Sequence, residues 1–207
     1  MISLSNAVVF GWHSAIMGMR NPMNSWSKSD SVFYSDFSCK IGQNDLDLME
    51  KLIKAGTEHR KFLRMLHVQM DIEAPLYWWK EFETYKIGTV SNSCSTMHKI
   101  AAKEFTIEDF SVEHLLAENT VYFGKTIERL NNARNKFLET KDKKYWWQMI
   151  QLLPSSYNQL RTVDLNYEVL LNQYFQRKEH KLDEWRIYCE QIKCFPYLND
   201  FIEVLKK

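Results

Sequence analysis

One short run limits the fold more than any other part of the chain. Leu66, Val68, Met70 and Ile72 alternate strictly with His67, Gln69, Asp71 and Glu73. That period of two is the mark of a strand with one buried and one polar face. Ala74-Pro75 ends the run, and proline suits the first turn of a helix, so a helix is predicted from Leu76 to about Tyr85. His67 and Asp71, two apart on the polar side, either line a cleft or face solvent.

The rest of the pattern is mostly helical. The first forty residues, rich in Ser, Asn and Met, show no sustained period and read as a loose strand or helix with loops. From Asn44 a helix is expected, with Asp45 as N-cap, an apolar stripe of Leu48, Met49, Leu52 and Ile53, and Gly56 as its stop. Gly88 to Ser95 is small and polar and reads as a loop, where functional groups concentrate. A long helix is predicted from Ser111 to about Glu139, with Gly124 as its weak point. Lys141, Lys143 and Lys144 then lead into a helix from Tyr145 to Leu153, ended by Pro154. Another long helix is expected from about Asp164 to Ile192, and a short one after Pro196. These elements predict one α+β domain over residues 1–207, a small antiparallel sheet with long helices packed around it.

Composition excludes several classes of function. The chain has 207 residues, 45% apolar and 26% charged, as in an ordinary globular protein. A net charge of +1 gives no long-range attraction to nucleic acid or an anionic membrane. Cys39, Cys94, Cys189 and Cys194 include no CxxC pair and no His at zinc-ligand spacing, which fits reduced thiols in a cytosolic protein. The N-terminal apolar run is short and has no basic lead, so it reads neither as a signal peptide nor as a membrane span. A soluble cytoplasmic protein is expected. Aromatic residues make up 14% of the chain, with Trp78-Trp79 and Trp146-Trp147 in pairs. Such rings either fill a core or cover an oligomer interface.

Three blocks, in their order and spacing, resemble the flavin-dependent thymidylate synthases. The first is HRKFLRMLHVQMDIEAP, from His59 to Pro75, and the second is the aromatic, charged helix that leads into Gly88–Ile100. The third is LLPSSYNQLRTVDLNYEVLLNQYFQRKEHKLDE, from Leu152 to Glu184, followed by a closing CFPYLNDFI. The likeness is clearest over residues 44–207.

The family signature reads Arg-His-Arg, two residues, Ser, one residue, Asn-Glu, one residue, Ser, one residue, Arg-Tyr. Without gaps, Thr84-Tyr85-Lys86 stands at Arg-His-Arg, Thr89 at the first Ser, Ser91-Asn92 at Asn-Glu, Cys94 at the second Ser and Thr96-Met97 at Arg-Tyr. With one residue inserted, Asn92 and Ser95 fall instead on the family's Asn and second Ser. In either register most of the charged groups that would hold flavin and phosphate are gone.

The resemblance implies FAD, NADPH and methylenetetrahydrofolate as cofactors, dUMP as substrate and a homotetramer with sites between subunits. Residue by residue it puts Cys94 or Ser95 near the uracil. His59, Lys61, Lys86, Asn92, Asn166 and Asn172 would contact flavin, and Arg177, Lys86 and Arg161 the nucleotide. On one continuous helix Asn166 and Arg177 would lie within about 20° of each other. Glu168 stands where the family has a basic residue, and Ile150 where it has a second phosphate-binding arginine. The implied reaction is reductive methylation of dUMP to dTMP. The competing reading is an inactive relative that serves as a nucleotide- or flavin-binding module.

Overall fold

In the computed structural model, which describes residues 1–207, the alternating run is the strand it was expected to be. Val68, Met70 and Ile72 of that strand are almost fully buried, as is Leu66 just before it. In chain order the elements are β1 (Ser3–Phe10), α1 (Trp12–Arg20), β2 (Val32–Phe33), β3 (Cys39–Lys40) and α2 (Gln43–Lys54). Then come β4 (His67–Pro75), α3 (Leu76–Phe82), β5 (Thr89–Ser93), α4 (Thr96–Lys99), α5 (Ala117–Thr140) and α6 (Lys143–Leu152). The chain closes with β6 (Asn158–Asn166), α7 (Tyr167–Arg177), α8 (Asp183–Ile192) and α9 (Leu198–Lys206). A four-stranded antiparallel sheet has the order β1-β4-β6-β5, and β2 pairs with β3 in a small hairpin. The fold is α+β, as expected.

Four sequence expectations need correction. The Gly88–Ser95 stretch is not a loop throughout: Thr89–Ser93 is the edge strand β5. Four of its five residues are exposed, so no burial alternation was there to read. Asp164 to Ile192 is not one helix. Residues 158–166 form β6, the chain breaks again at 178–182, and Asp183 and Glu184 open a new helix whose N-terminus favours acids. The β6 alternation was hidden because Gln159 is buried while Leu160 is exposed. Asp45 lies inside α2 rather than capping it. Gly42 is the N-cap, and Asp30 accepts the Asn44 and Asp45 N–H groups at 3.0 and 3.2 Å. The helix expected from Ser111 begins only at Ala117: Leu116 before it is extended, and the Ser111 N–H donates to the Ser156 carbonyl at 2.8 Å.

The chain forms two compact units. One comprises residues 1–3, 72–84 and 92–161, and the other residues 4–71, 85–91 and 162–207. In the first, Ile100, Phe105, Phe110, Leu130 and Met149 make a core against which α5 and α6 pack. Trp78, Trp79 and Phe82 of α3 are also buried and in mutual ring contact. A large apolar side chain contributes roughly 1.5–3 kcal/mol when fully buried. In the second unit Trp12 meets Tyr167 and Tyr197 edge-on, and Phe62 meets Phe201. The buried Tyr167 hydroxyl donates to the Pro196 carbonyl at 2.7 Å, and burial pushes its pKa up. Tyr197 anchors the start of α2 by accepting the Ile41 N–H at 2.9 Å.

Candidate functional site

Cys94 and Ser95 stand between β5 and the short α4 and line a pocket of about 240 Å³ in the first unit. The Cys94 backbone is pinned on both sides. Its N–H donates to the Leu160 carbonyl at 3.0 Å, and its own carbonyl accepts from Gln159 Nε2 at 2.8 Å. The thiol is left exposed. Ser95 is the N-cap of α4, its Oγ accepting the His98 N–H at 3.2 Å. Lys99 and Lys103 line the same pocket, with Asp109 and Tyr157. Lys103 is bonded to Asp109, which raises the lysine pKa despite partial burial. Burial, and then the Asp109 charge, raise the Tyr157 phenol, so it stays protonated beside the thiol.

The second unit gathers another set. Arg177, at the end of α7, donates from Nε to the Tyr85 hydroxyl at 3.0 Å and lies over the Trp185 ring. Tyr85 in turn donates to Gln176 Oε1 at 2.8 Å. Asn166 is the N-cap of α7, its Oδ1 accepting the Val169 N–H at 3.1 Å. It therefore lies at the end of a strand, not on one helical face with Arg177. Gly88 sits close by with φ +73°, and a Cβ there would meet Asn166 Nδ2 at 2.7 Å. Glycine is needed on both counts. Asn172 is exposed on α7, His59 in a turn, Lys61 at the start of a short 3-10 helix (Lys61–Arg64) and Lys86 in the segment between α3 and β5.

Arg161 is in β6. Its Nη1 donates to Glu83 at 2.5 Å, its Nε to Gln159 at 3.0 Å, and its guanidinium is 4.4 Å from the Trp79 ring centroid. Asn92 is exposed on β5. His67 bonds Asp164 at 2.8 Å, and Asp71 accepts from Asn6 and Thr162, so these residues make cross-strand pairs. Those two bonds lower the Asp71 pKa, Asn6 contributing most.

Sequence reasoning missed two groups. Glu168 pairs with Arg60 at 2.8 Å, and both are largely buried. A cation therefore does stand beside the glutamate, supplied from 108 residues away, a distance no local pattern reveals. Lys99, Lys103 and Tyr157 converge on Cys94 through α4, the segment after it and the approach to β6. Only the two lysines' nearness in sequence hinted at this.

Two solved structures of the flavin-dependent thymidylate synthase ThyX from Helicobacter pylori share this fold. Both contain FAD and dUMP. One matches with a TM-score of 0.67 over 97% of this chain and 96% of its own, at 14% identity. The other matches with a TM-score of 0.69 over 100% and 99%, at 16% identity. No family profile and no curated protein sequence matches the chain. No helix is long and apolar enough to cross a membrane.

Proposed function

We propose that this chain is a flavin-dependent thymidylate synthase-like protein, a single domain over residues 1–207 that binds FAD and dUMP. Its reaction would be reductive methylation of dUMP to dTMP with NADPH and methylenetetrahydrofolate. The observation that most supports this is the likeness along nearly the whole chain to structures containing FAD and dUMP. The donor set fits FAD in kind. His59, Lys61, Lys86, Asn92 and Asn172 are all exposed, so their cationic and amide groups can meet a pyrophosphate and the polar edge of a flavin ring. Bound FAD would supply hydride chemistry, while the protein positions and stabilises the reactants.

Arg177 would take the nucleotide phosphate by exchanging the Tyr85 hydroxyl for a charged acceptor, with Lys86 adding a second charge. Arg161 can assist only by giving up Glu83. Cys94 or Ser95 would lie at the pyrimidine, with Tyr157 as a nearby proton donor. A cytoplasmic homotetramer belongs to the same proposal; exposed Leu116 just before α5, Val121 and Tyr122 on it and Trp147 of α6 offer apolar surface for a subunit contact.

A second reading, a binding module without catalysis, is favoured by the engagement of Arg161, Arg177 and Asn166 with protein partners. The purified protein decides between them. A flavin absorbance spectrum that shifts on adding dUMP, with dUMP-dependent NADPH oxidation, supports the synthase. Bound flavin without that oxidation supports the second reading. A colourless protein that binds neither FAD nor dUMP overturns both.

A further inference from the structure

A pocket of about 270 Å³ beside α1 and α2 is lined by Arg20, Lys28, Asn44, Asp47, Leu48 and Lys51. Arg20 is only 3% exposed. Its Nε donates to Asp45 Oδ1 at 2.6 Å and its Nη1 to the Ser25 carbonyl at 3.3 Å. Its Nη2 is buried and has no acceptor in the protein. Asp45 does not supply one, because its other oxygen already accepts from the Ser29 and Ser31 hydroxyls and the Asp30 and Ser31 N–H groups. A buried guanidinium with one nitrogen left unpartnered is uncommon and calls for an acceptor.

The surroundings select the acceptor's charge. Lys28 and Lys51 are exposed, and neither takes part in an ion pair. The only acid in the lining is Asp47, which accepts from Gln43 at 2.7 Å. At the start of α2 the Gly42, Asn44 and Asp45 N–H groups are already bonded, the first to Ser31 Oγ and the other two to Asp30.

We propose that this pocket binds a phosphate group, either inorganic phosphate or a small phosphate monoester. A planar guanidinium with two point-charge ammonium groups suits a tetrahedral dianion. The volume falls just under the roughly 300–1,000 Å³ of pockets that enclose drug-sized ligands, which suits one phosphate-bearing group and not a dinucleotide. No lining residue is among those assigned above to FAD or dUMP, so the site is additional to that reading.

The test is calorimetric titration of the full chain with inorganic phosphate and with glycerol 3-phosphate, at an ionic strength held constant with chloride. Saturable binding is expected, weakened about tenfold or more in a Lys28→Ala/Lys51→Ala variant of unchanged melting temperature. Lys51→Ala alone serves if the double variant does not fold. Arg177→Ala should leave this binding intact. Tighter binding of the ester assigns an esterified ligand, and tighter binding of inorganic phosphate assigns the free ion. Absence of saturable binding, or binding that the lysine variants retain, overturns the proposal.

Discussion

Arg177 donates to the Tyr85 hydroxyl at 3.0 Å, which joins the residue expected to hold the dUMP phosphate to the one at the signature's histidine position. The guanidinium is also 4.9 Å from the Trp185 ring centroid and 5.7 Å from that of Tyr85. The arginine is thus positioned by aromatic faces, and a phosphate must compete with a phenol for its Nε. Tyr85→Phe removes that competitor while keeping the ring. Under the proposed function dUMP binding should tighten about three- to tenfold, the worth of one neutral hydrogen bond. Arg177→Ala should weaken it about ten- to a hundredfold, the worth of a charge-assisted one. Calorimetric titration reads both, and an unchanged affinity in Arg177→Ala would remove that residue from the site.

The four thiols should separate by reactivity. Burial pushes Cys189 up to about 12 and Cys39 up to about 11, the latter helped by the Asp45 charge. At neutral pH both stay protonated, and the thiolate is the reactive form. Cys94 and Cys194 are exposed. Ellman titration of the native protein should therefore show two fast thiols, with Cys39 and Cys189 reacting only on unfolding. Cys94→Ser should remove one fast equivalent.

How legible all this was in the sequence depended on burial. The Leu66–Ile72 run was readable because one face of β4 is wholly inside, and α9 because Pro196 marks its approach. β5 was not, since an exposed edge strand has no alternation, and β6 was masked by a buried Gln159 and an exposed Leu160. The site divides the same way. Cys94, Ser95 and Arg177 were singled out by resemblance to a motif. Arg60 beside Glu168 and Tyr157 beside Cys94 come from distant parts of the chain, and only the folded structure brings them together.

The Arg60–Glu168 pair gives a stability prediction. Its two side chains are each 11% exposed, and Arg60 Nε and Glu168 Oε2 have no other partner. Removing one member leaves a buried charge without compensation, so Glu168→Ala should destabilise by roughly 3–5 kcal/mol. Replacing both, as Arg60→Met with Glu168→Leu, should cost far less, because desolvation offsets much of the pair's attraction. Urea unfolding of the three variants measures this. Equal losses in the single and double variants would mean that the pair is not coupled.

Acid should act on the Asp45 node. Burial alone would raise this carboxyl, but Ser31, Ser29 and Arg20 outweigh it and hold the pKa below the ordinary value. A depressed folded-state pKa gives stability that is complete above the unfolded value of about 4 and is lost as pH falls through the folded one. The wild-type melting temperature should therefore drop steeply below about pH 4. Asp45→Asn should be less stable at pH 7 and show a shallower acid slope. A slope as steep as that of the wild type would mean that other carboxylates govern it.

Asn166 permits a cleaner separation of packing from binding than any other residue assigned to flavin. Its Oδ1 caps α7 by accepting the Val169 N–H at 3.1 Å, while its Nδ2 is the atom that a side chain at position 88 would strike. Asn166→Asp keeps an acceptor for the cap and adds negative charge at a helix N-terminus, where it is favourable, so the melting temperature should hold. Asn166→Ala should cost about 1 kcal/mol through loss of the cap. If Asn166 also donates to flavin, both variants should lose FAD affinity, and the aspartate would do so without loss of stability. Gly88→Ala should lower stability by about 1 kcal/mol or more, through its positive φ and its clash with Nδ2. Full FAD affinity in a stable Asn166→Asp variant would assign the residue to the cap alone, leaving Asn172, Asn92 and the exposed lysines to account for any flavin bound.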